Sequence, residues 1–308
     1  MFTSPSAGAS SDRVRAIRLS EAKADWVGGY SSACRCLQSP HPARFARRPP
    51  RVGGGEVFSY FFCALSLATL AIPAQAQTDE IQVYDAAIAK PGVFNLTWHN
   101  NYTPSGRKTP DFPGGVFPDH TLNGVTEWAY GAAPWFEAGV YAPLYSVESN
   151  GDLKINGMKL RALFVSPDAD NRTFFYGINF EFSYNSTDWD TKRFTSEIRP
   201  IFGWHLGKLD FIFNPILDNS YEGISRLDFA PATRVAYHVS DKFALALEEY
   251  DDFGPLRGFY SSRNQTHQLF AVADFTMGDV NVEPGMGWGF TPASDNMVLK
   301  LILSKDLN

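Results

Sequence analysis

Cysteine is missing from most of this 308-residue chain: Cys34, Cys36 and Cys63 are its only three, and nothing follows them. The remaining residues therefore form neither a disulfide nor a thiolate metal site. The Cys34–Cys36 spacing has no second pair to complete a metal set and reads as incidental. Charge is also scarce, at 19 % Asp, Glu, Lys and Arg. No apolar run reaches the roughly twenty residues that a membrane-spanning helix requires. No Walker loop, dinucleotide fingerprint, G-x-S-x-G, H-E-x-x-H or calcium-loop spacing occurs. No cofactor and no metal are implied by any motif.

A net positive charge is absent from the part that folds. Residues 1–76 hold nine basic and four acidic side chains, which leaves eighteen and twenty-nine for the rest. A nucleic-acid protein needs its positive charge on the folded body, so that class is excluded. The basic start has another use. Arg44, Arg47, Arg48 and Arg51 precede the fifteen-residue apolar run Phe58–Ile72, and Ala74 and Ala76 then give a small-x-small pattern. This is the order of an export signal, with cleavage expected between Ala76 and Gln77. The stretch before residue 40 is long for such a signal and points to an over-extended gene start. The expected organisation is a leader over 1–76, a periplasmic N-terminal segment over 77–91, and a folded body over 92–308.

What is abundant is aromatic side chains, 15 % of the chain, arranged in period two. In TFFYGINFEFSYN, residues 173–185, Phe174, Tyr176, Ile178, Phe180, Phe182 and Tyr184 share one face of an extended chain. Phe175, Gly177, Asn179, Glu181, Ser183 and Asn185 share the other. Eleven further segments of similar length follow this pattern: 94–102, 122–130, 136–145, 158–164, 194–204, 209–217, 227–237, 243–250, 267–275, 280–290 and 297–303. The phase of 267–275 is ambiguous. Links between them alternate long and short. An even strand count, about ten residues per strand and alternating link lengths predict an all-β fold, an antiparallel transmembrane β-barrel of about 12 strands.

Alternation alone also fits a soluble sandwich. Export, aromatic-rich apolar faces, Gly/Asn/Ser-rich polar faces carrying opposed single charges, and the lack of disulfides favour the membrane. Tyr102, Tyr130, Tyr145, Tyr184, Trp204 and Tyr237 close strands as an aromatic girdle would. A charge facing lipid at mid-depth costs about 2–4 kcal/mol for Lys or Arg. Lys159, Arg161, Glu181, Glu197, Arg199, Arg234, Glu248, Glu283 and Lys300 should therefore point inward as a lumen charge network. Within it, Lys159 and Arg199 flank Glu181, and Glu248 lies near Arg234. The network either rigidifies and partly plugs the barrel or lines a pore. Pro200, Pro215, Pro231 and Pro284 fall inside strands, where proline cannot donate to a ladder. Either the boundaries break there or the wall bulges, which would open a lateral route for apolar solutes.

The hairpin EWAYGAAPWFEAGVYAPL, residues 127–144, resembles the E-Y-G-L-T-D-R-x-E-x-G-L-x-x-P-L hairpin of the outer-membrane family labelled after the phenol meta-degradation pathway. Tyr130, Gly131, Glu137, Gly139, Pro143 and Leu144 match, while Ala132–Pro134 replaces the usual turn. The resemblance implies an outer-membrane barrel connected with uptake of organic compounds. The chain ends in Lys305–Asp306–Leu307–Asn308 instead of the terminal aromatic common among such barrels.

The leading expectation is a passive channel or transport-associated barrel for small organic solutes in the outer membrane of a Gram-negative bacterium. Its partners would be outer-membrane lipid, periplasmic chaperones and the barrel-assembly machinery. A structural barrel without an open pore is one alternative. A lipid-modifying barrel enzyme is the other, although no Ser–His–acid set can be assembled from His99, His120, His205, His238 and His267.

Overall fold

The computed structural model describes residues 79–308; the leader and the Ala76/Gln77 cleavage site lie outside them. Strands run over Phe94–Ser105 (β1), Leu122–Ala133 (β2), Phe136–Val147 (β3), Leu153–Val165 (β4), Phe174–Asn185 (β5) and Phe194–Leu206 (β6). They continue over Leu209–Asn214 (β7), Leu217–Asn219 (β8), Asp228–Phe229 (β9), Ala232–Ser240 (β10) and Phe243–Asp252 (β11). Thr266–Met277 (β12), Val280–Gly289 (β13) and Met297–Asp306 (β14) complete the series. β7 with β8, and β9 with β10, are broken halves of single wall strands, so twelve strands form the wall. Every pairing is antiparallel, and β14 pairs with β1 to close the barrel.

Two-residue turns join β2 to β3, β6 to β7, β10 to β11 and β12 to β13 at one end. The longer links gather at the other. The short-turn end also holds the eight-residue link between β4 and β5, whose Ala169 is buried against Leu163 and Phe175.

The wall is apolar outside and polar inside. On β5, Phe174, Tyr176, Phe180, Phe182 and Tyr184 are exposed, whereas Asn179, Glu181, Ser183 and Asn185 are buried. A continuous belt of exposed Phe, Trp, Tyr and Leu is tolerable only against lipid, so the barrel spans a membrane. β12 is ambiguous in sequence because its inward face is itself partly apolar. Phe270 and Val272 are buried inside, and Leu269 and Ala271 face out.

The prolines occur where the ladder is interrupted. β6 pairs with β8 up to Ile198↔Leu217 and with β7 from Phe202↔Phe213, so Pro200 faces the break containing Pro215. Pro231 lies in the matching break between β9 and β10. These three prolines thus share one seam across adjacent strands, which replaces the continuous strands 209–217 and 227–237 read from the sequence. Inside, the seam is covered by buried Ile201, Ile212 and Ile216. Pro284 pairs with Leu301 of β14 and has no ladder partner on β12.

One sequence expectation is overturned. Residues 79–91, read as part of a periplasmic segment outside the barrel, form a strap that runs up the lumen. Asp79, Glu80, Ile81, Val83, Tyr84, Ala86 and Ala89 are all buried. The physical reason is that the barrel interior offers both apolar ledges for Ile81, Val83 and Tyr84 and donors for the strap backbone, which in an extended chain has no partner of its own.

Candidate functional site in the barrel lumen

The strap leaves the wall at the start of β1. Gly92 donates its amide to the Gly131 carbonyl at 2.8 Å, and a Cβ on Gly131 would collide with the carbonyls of Ala89 and Lys90. Glycine at 131 is therefore a condition for the strap to enter the lumen. Farther in, the Ala89 amide donates to Glu137 (2.6 Å). Asn214 holds the Tyr84 backbone from both sides, accepting from its amide at 2.7 Å and donating to its carbonyl at 3.0 Å. Arg199 donates to the Gln82 carbonyl (3.0 Å), Lys300 to the Ile81 carbonyl (3.2 Å) and Asn101 to the Asp79 carbonyl (3.0 Å).

The predicted network residues fall into two groups around this strap. On the β2–β6 side, Arg161 bonds Glu127 at 2.7 Å and also Glu137. Its guanidinium lies over the rings of Tyr84 and Tyr141. Lys159 contacts Asp79 at 2.7 Å and Glu181 at 3.5 Å. Arg199 places its fork on Glu197, at 2.7 and 3.1 Å, and its plane 4.3 Å from the centre of the Tyr84 ring. In register, Glu181 stands directly opposite Arg161 and Glu197, while Lys159 and Arg199 are each displaced by two residues. Glu181 also accepts from Tyr84 (3.3 Å) and Asn179 (3.0 Å).

On the β10–β14 side, Arg234 stands opposite Glu248 and bonds it and Asp274, with Glu283 at 3.7 Å. Lys300 bonds Glu248 and, at 2.6 Å, Glu283. Here the strap touches the wall through the Ile81 carbonyl and side chain.

A cavity of about 550 Å³ lies beside the strap, bordered by Arg234, Asp274 and Glu283 of this second group and by Glu127, Glu137 and Arg161 of the first. Asp210, Asp241, Asp274, Glu283 and Asp306 line it toward the short-turn end. At its rim Asp210 accepts from two imidazoles, His205 at 2.7 Å and His238 at 2.6 Å.

The loop end is crossed by residues 106–121. The Val116 amide donates to the Asp188 carbonyl (3.0 Å), the Phe117 amide to Glu148 (3.0 Å), and the Arg107 amide to Asp295 (2.9 Å). Hydrogen bonds from Lys108 and the Gly106 amide hold the Asp119 carboxyl well below the ordinary carboxylate range and pin the base of this loop. His120 is exposed beside Asp119.

Of the girdle residues, Tyr130, Trp204 and Tyr237 stand on the outer face at the short-turn end and Tyr102, Tyr145 and Tyr184 toward the loop end. Tyr145 differs in that its hydroxyl accepts from Trp98 and donates to Asn100, both at 2.9 Å. Tyr84, Tyr141, Asn214 and the strap acids were missed in sequence. The alternation in IQVYDA was the available signal, hidden by its position next to a leader.

Among the described residues no group of three or more His, Cys, Asp and Glu has metal-holding geometry. The fold and this interior define a membrane-spanning β-barrel with an internal strap. No family model matches the chain, and no curated protein matches it. Similar solved structures include an outer-membrane channel from Pseudomonas putida F1, at 12 % identity and a TM-score of 0.49 over 74 % of this chain and 100 % of that one. The KdgM porin in complex with disordered oligogalacturonate gives 8 % and 0.45 over 70 % and 99 %. The translocator domain of the autotransporter NalP from Neisseria meningitidis gives 12 % and 0.39 over 70 % and 89 %.

Proposed function

We propose that this protein is an outer-membrane channel for small organic solutes, exported by a cleaved signal and held closed at rest by its own strap, residues 79–91. Short turns would face the periplasm and the long loops the cell exterior, as in outer-membrane barrels generally. The observation that carries the reading is how the strap is held. Between Asp79 and Ala89 it is held by hydrogen bonds and ion pairs to wall residues and by two apolar clusters, around Val83–Tyr84–Ala86 and around Ile81, and a cavity of about 550 Å³ already runs beside it. A segment held this way can leave without unfolding the wall, whose ladders close independently of it. The uptake of organic compounds follows from the resemblance of residues 127–144 to the phenol meta-degradation family.

A structural barrel with a permanently filled lumen is the competing reading, and the buried charge network supports it. Planar-bilayer conductance separates the two. The refolded mature chain should conduct weakly or intermittently, and a chain lacking residues 79–90 should conduct steadily. Silence from both chains, with the deleted one still folded by heat-modifiable gel mobility, would overturn the channel reading.

A further inference from the structure

We infer that the lumen selects for cations, and that the organic solutes it takes are amines or other positively charged molecules. This rests on the channel reading and adds the charge class of the solute.

The cavity beside the strap is lined by eight carboxylates but only four permanent cations, Lys90, Arg161, Arg234 and Lys242. The imbalance is not an effect of the strap alone, since Asp210, Asp241, Asp274, Glu283 and Asp306 all belong to the wall or its turns. Arg234 and Lys300 are already committed to Glu248, Glu283 and Asp274. Neither cation is free to balance Asp210, Asp241 or Asp306.

A second observation points the same way. Deeper in the lumen, among the described residues, Oε2 of Glu80 and Oδ1 of Asn179 are buried with no hydrogen-bond donor. Glu80 and Asn179 are 1 % and 0 % exposed. Buried acceptors without donors are costly, and a cation or an N–H-bearing solute entering the lumen supplies what they lack.

Low-dielectric walls focus such a field along the axis of a narrow lumen, raising the local concentration of positive ions and excluding negative ones. Rings of Asp and Glu produce cation preference in pores by this means. For an organic solute, an ammonium group in the cavity would meet the carboxylates of Asp306, Asp241, Asp210, Asp274 and Glu283. A carboxylate would meet twice as many like charges as opposite ones.

The test uses the refolded mature chain and the chain lacking residues 79–90 in planar bilayers under a KCl gradient. The reversal potential should have the sign of K⁺ permeation, with a permeability ratio several-fold above one. Asp241→Lys with Asp306→Lys, both at exposed rim positions, brings the cavity to six acids and six bases and should remove most of the preference. Benzylammonium added on the short-turn side should lower the conductance, and benzoate at equal concentration should not. A conducting barrel with no preference, an anion preference, or one indifferent to the double substitution overturns this inference and leaves the channel reading standing. Silence from both chains overturns the channel reading, and this inference falls with it.

Discussion

The two sides of the lumen are built from the same chemistry and differ in what fills the space between charges. On the β2–β6 side, Arg161 and Arg199 are stacked against Tyr84 and Tyr141, and the strap lies directly on the wall. On the β10–β14 side, Arg234 and Lys300 are paired as tightly; Tyr250 and Phe270 lie beside Lys300, but the inward positions toward the short-turn end are small: Ala236, Ala244 and Ser304. Ile81 of the strap packs with Ala236 and Ala246, and toward the short-turn end a cavity remains beside Ala236, Ala244 and Ser304. The lesson is that charge pairing does not by itself close a barrel. Aromatic volume at inward positions decides which side is solid and which can carry a solute.

The largest expected effect is on the solid side. Arg199→Leu removes the partner of buried Glu197, the donor to the Gln82 carbonyl and the plane stacked on Tyr84. Breaking a buried pair from one side costs about 3–5 kcal/mol. Urea titration in lipid vesicles should show that loss, and limited proteolysis should find the strap newly accessible. A loss under about 1 kcal/mol, the range of exposed pairs, would mean that water reaches Arg199 and that this side is not solid.

Next in size is a substitution that tests which face is which. Phe180 is exposed at mid-height on β5, next to inward Glu181. Phe180→Arg places a guanidinium in lipid and should cost about 2–4 kcal/mol, read by the same titration. A neutral result would remove the assignment of faces on which the lumen comparison stands.

The faces were legible in the sequence because lipid imposes a strict rule. The apolar residues of TFFYGINFEFSYN point one way except Phe175, which is buried inside opposite Gly203. Phe270 and Tyr141 were harder to place. An inward aromatic breaks the alternation, and its room comes from residues on other strands, as Gly287 gives it to Phe270. The Pro200–Pro215–Pro231 seam announced itself as an irregularity, but its alignment across three strands depends on register, which single strands do not carry. The strap was illegible for a different reason. Whether an extended segment lies inside a barrel or beside it depends on long-range partners such as Asn214 and Arg199, more than a hundred residues away.

On the open side the same kind of change should cost less. Lys300→Met removes a partner from Glu248 and Glu283. Glu283 borders the cavity, however, and Glu248 keeps Arg234 and the Tyr250 hydroxyl at 2.7 Å. The uncompensated carboxylates can be hydrated from the cavity, so the expected loss is about 1–3 kcal/mol. A loss equal to that of Arg199→Leu would erase the distinction between the sides.

The smallest change separates two ways in which Tyr84 can hold the strap. Its ring lies under Arg199 and among Val83, Leu163, Phe175 and Ile212, while its hydroxyl meets Tyr141, Glu181 and Arg161. Tyr84→Phe keeps the ring and removes only the hydroxyl. If the ring is the anchor, as the close Arg199 stack implies, stability should fall by only about 0.5–1.5 kcal/mol and the resting conductance should stay low. If the hydroxyl is the anchor, the same substitution should raise the open fraction nearly as far as deletion of residues 79–90 does. In that case closure is the work of the polar network reaching Glu181, and the aromatic filling of the solid side is a consequence of closure rather than its cause.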